Sequence, residues 1–508
     1  MVASLVLLFG LLGTIPSTAS GSAACNGAVK VQPANEVTIR FDMNATPIKR
    51  IDPSYFGFNV EWVGFQADLW DPVSKAVHPD IQTWLKKMDG AIYRYPGGTV
   101  ANHFKWRGAV GAQRTPQKAV DWTGPIPMTF GVDEYFKFLQ DVDGKAWMVA
   151  NLLGEFGREH PIEEQAAEAG EFASLVEKKA ALANKPIIRW ELGNELDRGK
   201  HAWSAAKYAA NASQAASAIR HNAPGTQFVS LWPDYDAYPG VPAVKYADRV
   251  IAELSPGIKE FALHPYFDGP PGGPPVPNRL AHICKLVGVA EDRGITPGVW
   301  ITEYARWPPG KADDPKWSRG FPLTANLGSA ISTADFLIGT TQIKEVRGTM
   351  IHSLSSSKGP WPMFHRHGEH FEPSAVMLGL TLLRQGVIGD VLPTATQSPY
   401  DLSSHNPLVR AVSVVSPDRK TLWLTMVNRG STRTHVQIAG KPSADFSKMG
   451  ISEILGVRGE MELSNNYASN KMVTYSQLDQ DELELLAGQN WSLMLPPHSI
   501  LVLRLANH

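Results

Sequence analysis

From about residue 51 onward the chain alternates short apolar runs with longer stretches of helical character. The short runs are Tyr55–Val60, Ala91–Tyr95, Ala146–Leu153, Ile187–Leu192, Gln227–Trp232, Glu260–Phe267, Gly298–Tyr304 and Val346–Leu354. Their length and their bounding turn residues predict strands. The stretches Pro161–Leu182, Ala202–Asn222, Arg279–Asp292 and Ala325–Thr340 between them have helix-forming composition. Strand candidates mostly separated by helices, spread over roughly 300 residues, predict an α/β chain folded as a (β/α)8 TIM barrel, whose usual length is about 250 residues. A doubly wound open sheet would use fewer units.

Beyond about Gly386 the pattern changes. Leu408–Val415, Thr421–Asn428, His435–Ala439, Asn490–Leu495 and Ser499–Leu505 alternate or run apolar between turn residues, and helix signals largely vanish. This predicts a C-terminal β-sandwich domain. The expected organisation is a signal peptide over 1–24, N-terminal strands within 25–50 that join the sandwich, a catalytic barrel over 51–385 and the sandwich over 386–508. The Pro/Gly-rich segment Gly269–Pro277 follows a barrel strand and reads as an exposed loop on the substrate side.

The N-terminal assignment rests on the apolar run Leu5–Ile15 and the small residues Ser22, Ala23 and Ala24 ahead of Cys25. It predicts a secreted or periplasmic protein, with a lipid anchor at Cys25 as a lesser alternative. The first basic residue is Lys30, so the usual positive n-region is missing. The run is too short for a membrane span. With only Cys25 and Cys284, at most one disulfide can form and no cysteine-rich metal site exists.

Charge narrows the partners. Lys plus Arg number 48 against 49 Asp plus Glu, so no global field draws the chain to nucleic acid or to an anionic membrane. The 15 Trp and 13 Tyr supply flat rings that suit sugar faces as well as cores, and most are expected in the core.

In such a barrel the chemistry sits where strands end at their C-terminal side. The fourth run ends Glu191-Leu192-Gly193-Asn194-Glu195, and the seventh ends Trp300-Ile301-Thr302-Glu303-Tyr304. Strands four and seven face each other across a closed barrel, so Glu195 and Glu303 can enter one cleft. Retaining glycoside cleavage needs two carboxyls about 5 to 5.5 Å apart, one to protonate the leaving oxygen and one to attack carbon. The acid needs a raised pKa, and the nucleophile needs donors such as Arg94 or Tyr266 to stay ionised. A single such Glu would more simply tie a strand end to a loop; the pair favours catalysis.

Five segments carry a resemblance: Phe56-Gly57-Phe58-Asn59-Val60-Glu61, Arg94-Tyr95-Pro96-Gly97-Gly98, Glu191 to Glu195, His264-Pro265-Tyr266 and Thr302-Glu303-Tyr304. The chain resembles the clan A retaining glycoside hydrolases, and within them the family 51 α-L-arabinofuranosidases. The resemblance implies Glu195 as acid/base, Glu303 as nucleophile, Asn194 bonding the sugar hydroxyl beside the reacting carbon, and Glu61, His264 and Tyr266 lining the sugar subsite. Two positions depart from the family pattern. Thr99 stands where an Asn is usual, with Asn102 further on, and Thr302 stands where an Asp is usual. They leave the mechanism intact and keep two alternatives open, the heparanase-like β-glucuronidases of family 79 and the β-xylosidases of family 39. A non-catalytic carbohydrate-binding protein on the same fold is a further alternative.

The substrate expected is an oligosaccharide or polysaccharide, with no metal and no other cofactor. Trp307, just past Glu303, is the best stacking candidate. His365, His367 and His370 fall in a segment, Trp361–Phe371, read as a solvated loop; their spacing alone could hold a metal, yet no acidic or cysteine pattern accompanies them.

Overall fold

The computed structural model describes residues 30–31, 36–120, 123–237, 240–312, 314–356, 359–401, 404–441, 449–461, 473–481 and 491–507. Residues 1–24 and Cys25 lie outside this set. Eight parallel strands close into a barrel in chain order: β1 (Phe56–Asn59), β2 (Ile92–Tyr95), β3 (Lys145–Ala150), β4 (Ile187–Leu192), β5 (Phe228–Leu231), β6 (Glu260–Leu263), β7 (Gly298–Ile301) and β8 (Val346–Ile351). β8 pairs with β1 through Thr349–Phe56, Met350–Gly57 and Ile351–Phe58, which shuts the cylinder. Each strand coincides with one apolar run. Parallel strands covered on both faces must be apolar on both, so they announce themselves in sequence as runs.

Parity within each strand decides what enters the barrel, since successive side chains point to opposite faces. Phe56 and Phe58, Tyr93 and Tyr95, Met148 and Ala150, and Trp190 and Leu192 pack outward against the helices. Ile92, Trp147, Val149, Val229, Ala262, Trp300 and Met350 fill the barrel interior, where the Trp147 and Trp300 rings meet edge-on at 4.9 Å. Near the floor, Glu260 accepts hydrogen bonds from Arg189 Nε at 2.6 Å and Trp300 Nε1 at 2.7 Å. The inward residues one step higher, Asn59, Arg94, Glu191, His264, Thr302 and His352, are polar and buried. The barrel is therefore a packed plug with a polar cap.

The predicted helices appear as Ile162–Ala183, Ala205–Asn222, Val276–Glu291 and Leu327–Thr341. Trp62–Asp68, Pro79–Lys86, Val132–Asp141, Ala243–Glu253 and Ala375–Val387 are the other α-helices among the described residues. Ala375–Val387 lies between barrel and sandwich, and nearly every side chain on it is buried. Cys284, on Val276–Glu291, carries no free thiol.

Two sheets form the sandwich. One runs Lys30–Val31, Thr394–Ser398, Val37–Asp42, Thr434–Lys441, Trp491–Leu495; the other runs Thr474–Gln477, Met449–Arg458, Ser499–Asn507, Thr421–Asn428, Val409–Val415, Gly389–Val391, Lys49–Ile51. Leu501, Leu503 and Leu505 face the sandwich core, while Ile500 and Val502 face the helices of the barrel. Both faces of that sheet are buried, which explains why Val409–Val415 is buried at every position rather than at every second one. The segment Trp361–Phe371 contains more structure than a loop: Phe364–His367 pairs antiparallel with His370–Pro373. Among the described residues no helix is long and apolar enough to cross a membrane.

Candidate active site

The polar cap is organised around one cation. Arg94, fully buried on β2, donates from Nε and Nη2 to the two oxygens of Glu191 at 2.7 and 2.8 Å. Its Nη1 donates to Glu303 Oε1 at 2.9 Å and Asn59 Oδ1 at 3.0 Å, and Nη2 also reaches Asn194 Oδ1 at 2.7 Å. A buried guanidinium is tolerable only when its charge is matched and its donors are used, and both conditions hold. Glu191 also accepts from Trp147 Nε1 at 3.0 Å. Burial by itself would raise the Glu191 carboxyl, but the Arg94 charge and the His264 hydrogen bond outweigh it and hold the group at about 2.

Glu303 stands just beyond β7. Besides Arg94, it accepts from Tyr266 Oη at Oε2, 2.9 Å, and His352 Nδ1 lies 3.4 Å from the same oxygen. Both oxygens are thus met by donors, in a side chain only 5% exposed. Such a carboxylate is fixed in place by its donors.

Glu195 is held differently. It follows Gly193 (φ +80°) in a turn, and its own φ of +49° is the left-handed conformation that side chains other than glycine seldom adopt. Its side chain is 23% exposed, and His264 Nδ1 lies 2.9 Å from Oε1. The His264 ring can be read proton by proton. Glu191 Oε1 accepts from Thr302 Oγ1 at 3.1 Å, so the Thr302 hydroxyl hydrogen is committed there. Thr302 Oγ1 must then accept from His264 Nε2 at 2.9 Å. That leaves the Nδ1 to Oε1 contact holding one proton between His264 and Glu195.

Burial would lower the His264 pKa, yet the Glu303 charge and the bonds to Glu191 and Glu195 raise it to about 10. Burial would raise Glu195, yet Arg198 and His264 hold it well below the ordinary carboxylate range. A raised acid was expected from sequence. In this geometry the proton rests on the imidazole side of the pair, one hydrogen bond from the carboxylate that would deliver it.

A carboxylate oxygen of Glu195, one of Glu303 and a ring nitrogen of His264 all lie within 4.8 Å of one another. Three ligands at that spacing could surround a cation, but here each is already engaged: Glu303 by Arg94 and Tyr266, Glu195 by His264. The set is complete as a hydrogen-bonded network.

The other residues singled out in the sequence gather at the same place. Glu61 follows β1 and faces His352 Nε2 at 3.9 Å. Burial raises its pKa, with His352 opposing and Glu303 adding to the rise. Gly98 explains part of the Arg-Tyr-Pro-Gly-Gly segment: a Cβ there would fall 1.8 Å from Glu61 Oε1, and its φ is +53°. Asn194 is pinned by Asn102, which donates from Nδ2 to the Asn194 carbonyl at 2.6 Å and accepts from its N–H at 3.0 Å. The Asn194 Nδ2 group is buried without a protein partner. Thr99, by contrast, is exposed. Trp307 meets the Tyr266 ring edge-on at 5.1 Å and packs beneath the loop at Gly269, Gly272 and Gly273, so its ring supports the cleft wall. Trp361 is centred 5.1 Å from His352 and 5.0 Å from Tyr266.

Asn59, Glu191, Thr302, His352 and Arg198 belong to the site and were not picked out as such by sequence. For four of them a signal existed. Asn59 and Glu191 have the inward parity of their strands, and Thr302 and His352 are the next inward positions past β7 and β8.

No family model matches the chain. An intracellular exo-α-(1→5)-L-arabinofuranosidase of Bifidobacterium longum is 23% identical over 196 residues, 35% of this chain and 34% of that protein. One of the same name from Acetivibrio thermocellus is 25% identical over 169 residues, 30% and 32% of the two chains. The chain thus matches about a third of the length of these curated relatives. Among solved structures, the family 51 arabinofuranosidase of Xanthomonas axonopodis pv. citri superposes with a TM-score of 0.74 at 17% identity, covering 92% of this chain and 99% of that one. Barrel and sandwich together are the fold of that enzyme, and the resemblance read in the five segments is the one both comparisons return. One expectation is corrected. Two relatives are named as intracellular, which points away from a secreted or periplasmic protein and from an anchor at Cys25. The apolar N-terminal run lacks the basic n-region a signal uses, and lies outside the described residues.

Proposed function

We propose that this chain is a retaining glycoside hydrolase acting as an α-L-arabinofuranosidase on an oligosaccharide or polysaccharide. The observation that carries the reading is the pair Glu195 and Glu303, with oxygens within 4.8 Å and unlike surroundings. That spacing belongs with the short carboxyl separation of retaining enzymes, about 5 to 5.5 Å, rather than with the about 6.5 to 9.5 Å of inverting ones.

In the first step Glu303 attacks the anomeric carbon while the proton held between His264 and Glu195 passes through the Glu195 carboxyl to the leaving oxygen. The glycosidic C–O bond breaks as the Glu303 ester bond forms. In the second step Glu195 takes a proton from water, the water oxygen bonds to the anomeric carbon, and Glu303 leaves as carboxylate. Arg94 and Tyr266 aim the two Glu303 oxygens. The Asn194 amide nitrogen, which has no protein partner, donates to the hydroxyl beside the reacting carbon, and Glu61 accepts from another. The names of the relatives support arabinofuranoside as the sugar, as do the five segments.

The test is initial hydrolysis of aryl α-L-arabinofuranoside, β-D-xyloside, β-D-glucuronide and β-D-glucoside, each with the Glu303→Ala variant in parallel. The expected result is activity on the arabinofuranoside that vanishes in the variant. Activity confined to the xyloside or glucuronide would overturn the sugar, and full activity of Glu303→Ala would overturn the mechanism. Glycan binding with no turnover of any substrate, polymers included, would make the chain a binding protein.

A further inference from the structure

Arg198 comes from the turn that carries Glu195, and its Nη1 stands 3.7 Å from Glu195 Oε1. It is not free to close that distance. Its Nε donates to both oxygens of Asp197 at 3.1 and 3.2 Å, and its Nη2 donates to Asp234 Oδ2 at 3.3 Å. Asp197 and Asp234 are nearly inaccessible, with side chains 1% exposed, so both are committed to this contact. The same Asp234 oxygen accepts the backbone N–H of His264 at 2.7 Å. One carboxylate therefore fixes both groups that hold Glu195: His264, which shares its proton, and Arg198, which favours its ionised form.

We infer that Asp234 and Arg198 are positioning residues that set how readily the His264–Glu195 pair keeps its shared proton, Arg198 favouring the Glu195 carboxylate and Asp234 holding Arg198 back. The inference rests on the reading of Glu195 as acid/base. Other charged or titratable groups face Glu195 from every side: Glu61 after β1, Glu303 and Tyr266 from the β7 and β6 ends, His352 after β8, and Asp197 and Tyr235 from the β4 and β5 loops. None of these both contacts Arg198 and anchors His264. The device also accounts for a feature the mechanism leaves unexplained, a cation beside a group that must act as an acid. Attraction to Arg198 stabilises the Glu195 carboxylate left after proton transfer, while the charges of Asp197 and Asp234 limit how far that attraction weakens the pair's hold on its shared proton.

Two substitutions move the system in opposite directions. Asp234→Asn keeps an oxygen for the His264 N–H and deletes the charge that restrains Arg198, so Glu195 is held more firmly ionised. Arg198→Gln removes the cation, so the His264–Glu195 pair keeps its shared proton to higher pH. In kcat/KM profiles with a substrate whose leaving group needs protonation, such as an alkyl arabinofuranoside or arabino-oligosaccharide, loss of the shared proton sets the alkaline limb. That limb should move toward acid in Asp234→Asn and toward alkali in Arg198→Gln, each by about one pH unit, a tenfold change in the protonated fraction. A nitrophenyl leaving group should show neither shift. Shifts in the same direction, no shift, or an equal loss at every pH with both leaving groups would overturn the inference. If Arg198→Gln does not fold, the direction of the Asp234→Asn shift decides. Glu195→Ala in the same assay separates the two levels: a loss confined to poor leaving groups keeps the acid/base reading whatever the other variants do, and a loss independent of leaving group removes the reading and the inference together.

Discussion

The ends of β7 and β4 present the same side chain in opposite circumstances. Glu303 stands two residues past the end of β7, is almost fully enclosed and meets donors at both oxygens, from Arg94 and Tyr266. Glu195 sits in a turn with a left-handed backbone, is about a quarter exposed, and contacts groups that can exchange a proton or shift its charge. The first environment holds a carboxylate still between fixed donors. The second keeps a proton within one hydrogen bond and lets the solvent side of the cleft reach it. Under the proposed function the two residues take separate roles because the fold surrounds one with fixed donors and the other with a proton-sharing partner.

The comparison can be broken from either side. Removing the fixed partner should do most: Glu303→Ala should lower kcat by about 10⁵-fold with every substrate, as loss of a nucleophile does elsewhere. Glu195→Ala should cost about 10² to 10⁴-fold with a poor leaving group and far less in the first step with a good one, read from pre-steady-state release of nitrophenol. Arg94→Met attacks the ordered side alone. It strands Glu191 and Glu303 as buried charges, and thermal or urea unfolding should show a loss of about 3 to 5 kcal/mol.

Smaller effects sharpen the picture. Glu191 is held at about 2, below the ordinary 4.5, so its contribution to stability is present above pH 4.5 and is lost as pH falls through 2. Unfolding midpoints measured down that range should fall for the native protein and fall less for Glu191→Gln. Dialysis against a chelator should change activity by less than about twofold, since Arg94 and His264 supply the positive charge that a metal would bring.

Much of this was legible in the chain. All eight barrel strands coincide with apolar runs, because strands buried on both faces leave an unmistakable signature. The helix Ala375–Val387 left no period to read, since it is buried between barrel and sandwich on nearly all sides. Glu195, Glu303, Arg94 and Asn194 stand in motifs whose local sequence is distinctive, and the fold brings them together. The partners that make the two glutamates differ are distant in sequence: Arg94 is 209 positions from Glu303, and His264 is 69 from Glu195. Strand parity points Asn59 and Glu191 inward. Which acceptor each donor finds depends on closure of the barrel, which no local pattern records. The charge balance around Arg198 lay further out of reach, because Asp197, Asp234 and Arg198 look like ordinary loop residues until β4 and β5 are placed side by side.

The most direct test of two unlike glutamates is to stop the reaction between its two steps. Glu195→Ala mixed with a nitrophenyl α-L-arabinofuranoside can still be attacked by Glu303, while water lacks its base for the second step. Peptide mass mapping should find one pentosyl group on the peptide containing Glu303, formed as fast as nitrophenol is released. Nitrophenol release without any such adduct, or an adduct on another residue, would contradict the account.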